Sequence, residues 1–116
     1  MAISFESIGQ KLVSFKASAA LKAGDPCILC ANDTVMPANE GGEFCGIASG
    51  VRGGVAGVIV GGCVTVPYTG ENDPTVGYGY LAADGKGGVV SATEGGRYLI
   101  VNVDKTGKTV TFFLNH

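Results

Sequence analysis

Apolar and polar residues alternate with a period of two along most of this chain, and helical periodicity is almost absent. Such alternation is typical of strands that bury one face, because successive side chains in a strand point to opposite sides. The pattern predicts strands at residues 13–18, 27–31, 34–36, 44–51, 55–66, 78–83, 89–92, 97–103 and 109–114. Residues 17–22 could form one helical turn, which the turn residues at 23–26 would end.

Glycines and other turn residues separate the predicted strands. The pair Gly61 and Gly62 predicts a bulge or bend inside a strand, because glycine weakens a strand unless the geometry requires it. The link at residues 104–108 predicts a hairpin with a type I turn and Gly107 in the left-handed region. Short strands at this spacing indicate an all-β fold, a small Gly-rich β-barrel or β-tulip-like domain with little or no helix. We expect an N-terminal arm at residues 1–8 and a single β domain at 9–116.

The chain has few charged residues for a protein whose whole surface is exposed to water. Its 116 residues are 46% hydrophobic and 16% charged, whereas an average soluble domain carries about 25% charged residues. Part of the surface is therefore predicted to be covered by a partner. The net charge of −2 and the scattered lysines and arginines predict no nucleic-acid partner. The uncharged stretch 53–70 is too rich in glycine to predict a membrane span, and no secretion signal is expected at the amino end.

The four cysteines are Cys27, Cys30, Cys45 and Cys63. Without a secretion signal they predict a reducing compartment and free thiols, each buried as a small apolar side chain. Cys27 and Cys30 have CxxC spacing, but the residues between them are apolar and strand-like, which places the two thiols on opposite faces of a strand. We therefore predict no metal and no redox centre.

The sequence predicts no enzyme and no cofactor. Its histidine is His116, the final residue, so no Ser-His or Cys-His pair is expected. The stretches Gly107-Lys108-Thr109 and Gly77-Tyr78-Gly79 resemble parts of phosphate-binding loops but lack the helix that such loops precede. The turn Asp104-Lys105-Thr106 resembles the lysine turn of lipoyl and biotinyl carrier domains. A carrier or other small ligand-binding β module is the alternative function.

The chain resembles the head decoration, or capsid cement, proteins of tailed phages, including the lambdoid type. The resemblance lies in Leu21-Lys22-Ala23-Gly24-Asp25-Pro26-Cys27, in Phe44-Cys45-Gly46-Ile47-Ala48 and in Gly62-Cys63-Val64-Thr65-Val66, with weaker similarity in 76–85 and the closing hairpin. It implies a protein that is assembled in the host cytoplasm, binds the major capsid protein on the exterior of the virion and stiffens the head. It also implies homotrimers or, in some cases, monomers. A phage tail or head-fibre component is a further alternative.

The resemblance also implies an N-terminal arm that becomes ordered on docking. The long polar arm of the lambdoid type is missing, and a short segment with Ile3, Phe5 and Ile8 stands in its place. Ile3 and Phe5 would share one face of an extended arm and could insert together into a groove of a neighbouring protein. Alternatively, the arm could pair within its own barrel, as terminal strands often do.

Overall fold

The computed structural model describes residues 10–18 and 20–114, and these residues form an all-β structure without a helix. Their strands are β1 (Lys11–Ala17), β2 (Pro26–Ala31), β3 (Thr34–Pro37), β4 (Gly46–Arg52), β5 (Val55–Thr69), β6 (Gly77–Ala83), β7 (Val89–Ala92), β8 (Gly96–Asp104) and β9 (Thr109–Leu114). The predicted all-β class is thereby confirmed. No helical turn follows β1: the strand continues to Ala17, and the described residues from there to Lys22 form turn and coil.

The strand pairings fall into two groups that share β5. In the first half, β5 pairs with β1 and β4, β4 pairs with β2, β2 pairs with β3, and β3 pairs with β1, so the pairings return to β5. In the second half, β5 pairs with β7 and β9, while β6 and β8 connect those two strands. The ladders β1–β3 and β5–β7 are parallel, and the others are antiparallel. The more specific barrel or β-tulip form stays a prediction.

The long strand β5 changes partners at Gly62. Its residues up to Gly61 pair with β1, residues 62–67 pair with β9, and the last two residues, Tyr68 and Thr69, pair with β7. Gly62 has a φ of 87°, a left-handed conformation that residues with a Cβ rarely adopt. The register of β1 against β5 also shifts between Lys11 and Leu12. The bulge or bend predicted at Gly61 and Gly62 is therefore present, and it lies where the chain passes from one half to the other.

Each half has its own cluster of buried apolar side chains. The cluster of the second half includes Phe112, Ile100 and Tyr98, and Phe44 reaches it from the first half. Phe44 stacks on Tyr98 with ring centroids 5.2 Å apart, and Tyr98 lies 5.1 Å from Phe112. Cys27 belongs to the smaller cluster of the first half, together with Leu21, Val35, Ala48, Ala56 and Val58. Alternate residues of the strands supply both clusters, as the sequence pattern predicts.

Two local predictions are wrong. β2 is buried at Pro26 and Cys27 but exposed from Leu29 to Ala31, because its ladder with β4 comprises residues 26 and 27. Cys30 is therefore exposed, although we predicted it to be buried. In the β8–β9 turn the residue with positive φ is Lys108, at 56°, and not Gly107. The reason is that the Asp104 carboxylate accepts hydrogen bonds from the backbone nitrogens of residues 106 and 107, both at 3.0 Å, which delays the left-handed residue by one position.

Candidate interaction surface

The most exposed apolar side chains of the described part of the chain lie on and beside β6. Val76 is 63% exposed and Tyr78 is 66% exposed, and Tyr80 points to the same side of the strand with 39% of its surface accessible. Gly79, between the two tyrosines, faces the interior. A Cβ at Gly79 would lie 3.2 Å from the Cδ1 atom of Ile100, so the glycine gives this core side chain its space. The alternation of tyrosine and glycine thus builds one apolar outer face over a packed inner face.

Strand β8 extends this outer face. Leu99 lies opposite Tyr78 in the antiparallel ladder, and Arg97 lies opposite Tyr80. The guanidinium carbon of Arg97 is 4.6 Å from the centre of the Tyr78 ring, a cation–π distance. We call Val76, Tyr78, Tyr80, Arg97 and Leu99 the β6 tyrosine surface. Aromatic residues and arginine are the types that contribute most to binding energy in protein interfaces.

The loop that leads into β6 is held by a group of polar contacts. The Tyr68 hydroxyl donates a hydrogen bond of 2.7 Å to Asp73, and the Lys108 ammonium lies 3.6 Å from the same carboxylate. Lys108 also lies 5.0 Å from the centre of the Tyr68 ring. The hydrogen bond from Tyr68 lowers the pKa of Asp73, and Lys108 adds to this effect. Burial, followed by the Asp73 carboxylate, raises the pKa of Tyr68 to about 12. These contacts tie the loop at Asp73 to the end of β5 and to the β8–β9 turn.

Asp84 is a buried carboxylate with a structural role. One of its oxygens accepts hydrogen bonds from the backbone nitrogens of Lys86, at 2.6 Å, and Gly88, at 2.9 Å. Its other oxygen accepts a hydrogen bond of 3.0 Å from the Thr69 hydroxyl. Because these donors surround the carboxylate, it closes the loop between β6 and β7 and ties that loop to the end of β5.

An open depression of about 320 Å³ lies where the loop after Asp84 meets the first half. Its lining includes Lys22, Asp25 and Lys86. Its charges are of both signs, and the Asp25 carboxylate already accepts a hydrogen bond of 2.9 Å from the backbone nitrogen of Lys22. The depression therefore does not favour one class of ligand.

The structure separates the residues that the sequence singled out. Ile3, Phe5 and Ile8, the predicted interface residues, lie outside the described residues. Cys27 is buried and Cys30 is exposed, so the two cysteines of the CxxC spacing do not share an environment. Lys105 is exposed in the turn between β8 and β9. The β6 tyrosine surface was missed as an interface, although Tyr78-Gly79-Tyr80 was a usable signal: in a strand, glycine between two tyrosines puts both rings on one face.

Within residues 10–18 and 20–114, no group of three or more histidine, cysteine, aspartate or glutamate side chains is placed to hold a metal ion. The same residues contain no helix of the length and apolarity needed to cross a membrane. Comparison of the chain with models of known protein families and with curated proteins finds no match. The class that the fold defines is an all-β domain.

Proposed function

We propose that this protein is a capsid decoration protein, which binds the major capsid protein on the outside of a phage head and stabilises the particle. The observation that carries the proposal is the β6 tyrosine surface, which exposes two tyrosines on a paired strand and Val76 just before it. The sequence resemblance to cement proteins supplies the class of partner. Its site of action would be the exterior of the virion.

The placement of the surface suits repeated binding to a lattice. Tyr78 pairs with β8, and Tyr80 pairs with both β7 and β8, so the backbone beneath the two rings is already ordered. Tyrosine adds a large contact area with few rotatable bonds, which keeps the entropic cost of binding low. A decoration protein acts in many copies, so a standard interface of about 800 Å² per partner would suffice for each contact. Homotrimer formation and docking by Ile3, Phe5 and Ile8 remain parts of the proposal.

The test is the binding of two purified double variants to undecorated capsids, measured by co-sedimentation. Tyr78→Ala with Tyr80→Ala removes the centre of the surface, and we expect capsid affinity to fall at least about 100-fold, because two anchor residues of about 2 kcal/mol each are lost. Leu12→Ala with Leu29→Ala removes exposed leucines of β1 and β2, which are 57% and 53% exposed. This matched control should bind as the unchanged protein does.

Both variants should keep the far-ultraviolet circular dichroism spectrum and nearly the same thermal midpoint, because all four side chains are exposed. Full capsid binding by the tyrosine variant would contradict the role of this surface, and failure of the unchanged protein to bind capsids would contradict the proposed function. The carrier alternative is tested in the same samples by intact mass: a lipoyl or biotinyl group on Lys105 would favour a carrier, since Lys105 stands exposed in its turn.

A further inference from the structure

The fold brings together two cysteines that are far apart in the sequence. Cys27 lies in β2 and pairs with Gly46, the first residue of β4, which directly follows Cys45. The backbone nitrogen of Cys45 donates a hydrogen bond of 2.8 Å to the carbonyl oxygen of Cys27. Phe44 enters the core of the second half, whereas Cys45 packs against the first-half cluster that contains Cys27. The two thiols therefore meet on the same side of the β2–β4 ladder.

The backbone geometry suits a covalent bond between them. A disulfide needs Cα atoms about 4.4–6.8 Å apart, and the backbone hydrogen bond from Cys45 to Cys27 makes these two residues direct neighbours across the ladder. Cys27 has no exposed surface, and its thiol donates to the carbonyl oxygen of Gly46 at 3.5 Å. Cys45 is half-buried, so a small oxidant reaches the pair from the side of Cys45.

The two thiols also differ in acidity in a way that assigns their roles. The interaction with the Cys27 side chain lowers the pKa of Cys45 below the usual value of a thiol. The same contact, together with burial, raises the pKa of Cys27. Cys45 is therefore the thiol of the pair that ionises more readily to the thiolate, which is the reactive form, while Cys27 keeps its proton.

We propose that Cys45 and Cys27 are a redox pair that a hydroperoxide converts into an intramolecular disulfide joining β2 to β4. With hydrogen peroxide, the Cys45 thiolate attacks one oxygen, the O–O bond breaks, and Cys45 becomes a sulfenic acid while the other oxygen leaves as water after taking up a proton. The Cys27 sulfur then attacks the Cys45 sulfur, the S–O bond breaks, and a second water leaves with the Cys27 proton. The two thiols together lose two electrons and two protons, and one peroxide gives two waters.

The consequence of oxidation follows from where the pair lies. The ladder between β2 and β4 comprises the pairs Pro26 with Ile47 and Cys27 with Gly46. A disulfide at this short ladder would hold β2 against β4, the strand that connects β2 to β5. It would also close a loop of the chain between residues 27 and 45, which restricts the unfolded state. Oxidation should therefore raise the thermal midpoint by several degrees.

The experiment treats the reduced full-length protein with a small excess of hydrogen peroxide at pH 7, alkylates the remaining thiols under denaturing conditions and maps the peptides by mass. We expect a single disulfide between Cys27 and Cys45, with Cys30 and Cys63 alkylated, a higher thermal midpoint, and reversal by dithiothreitol. Cys30→Ser and Cys63→Ser are the matched controls, and both should leave the disulfide and its rate unchanged.

Cys27→Ser should instead trap a sulfenic acid at Cys45, which dimedone labels, and Cys45→Ser should leave Cys27 unoxidised. The oxidation rate of the unchanged protein should fall about tenfold for each pH unit below the pKa of Cys45, since the thiolate reacts. A disulfide that contains Cys30, four unreacted thiols, or sulfinic acid at Cys45 without a disulfide would each overturn the proposal.

Discussion

The sharpest test of the packing concerns Gly46, the buried first residue of β4. A Cβ built at this position overlaps the carbonyl oxygen of Ile59 and comes within 2.7 Å of the Cγ1 atom of Val58. The oxygen belongs to the backbone of β5, which pairs with strands on both sides and cannot move alone. Gly46→Ala is therefore an overpacking change, and its cost does not come from backbone strain, because the φ of Gly46 is not positive.

Inserting a methyl group into a closed site of this kind costs about 1–3 kcal/mol, and more where the opposing atom is backbone. For a domain of this size, roughly 4 °C of thermal midpoint corresponds to each kcal/mol. We expect Gly46→Ala to lower the thermal midpoint by roughly 4–12 °C. The matched control is Gly50→Ala in the same strand, where the added Cβ meets nothing within 4 Å and the φ is again not positive. This control should change the free energy of unfolding by less than about 0.5 kcal/mol, as surface substitutions usually do.

The assay is urea unfolding of the two variants and the unchanged protein, followed by far-ultraviolet circular dichroism. Gly46→Ala should move the midpoint to lower urea without changing the slope m, because the surface exposed on unfolding stays the same. Equal midpoints for the two alanine variants would refute the reasoning. The added methyl group would then destabilise the protein equally where it meets backbone, at Gly46, and where it meets nothing, at Gly50.

The remaining predictions concern two titratable side chains. Burial, followed by the charge of Glu43, raises the pKa of Tyr98 from 10.0 to about 12. Between these two pH values the folded state keeps a proton that the unfolded state loses. The free energy of unfolding should therefore fall by roughly 2–3 kcal/mol as the pH rises from about 10 to about 12. In urea unfolding, Tyr98→Phe should weaken this dependence of the free energy of unfolding on pH. An unchanged pH dependence would contradict the prediction. Asp84→Ala removes the acceptor of three hydrogen bonds and should lower the free energy of unfolding by roughly 2–4 kcal/mol. Thr69→Val removes one of these bonds and should lower it by about 1 kcal/mol. Equal losses for the two variants would disprove the central role of Asp84.

The strands could be predicted from the sequence because alternation is a local signal. The hairpin of β8 and β9 was found nearly to the residue, since short loops join neighbouring antiparallel strands. The bend at Gly61 and Gly62 was found because glycine pairs inside a strand are costly unless they are needed. The left-handed residue of the last turn was misplaced because the Asp104 carboxylate, and not the presence of glycine, sets the turn.

The pairings between distant strands could not be predicted in the same way. Nothing local to Cys27 shows that it meets Cys45, because their approach depends on the order of β2, β3 and β4 in space. The CxxC spacing pointed instead to Cys30, which faces solvent. For the β6 tyrosine surface, alternation predicts that the two rings share a face but not that this face is the outer one. That assignment depends on Ile100 filling the space at Gly79.

The shared strand β5 has a consequence for how the chain folds. It lies in the middle of the sequence, and it pairs with β1 near the beginning and with β9 near the end. Neither set of neighbours can complete its hydrogen bonds before β5 is in place, and the ladders of the second half must also wait for β9 at the end of the described chain. Contacts of such large sequence separation slow folding, because the entropy of closing long loops is lost before the contacts form. The two halves are thereby coupled, because a displacement of β5 disturbs the ladders of both.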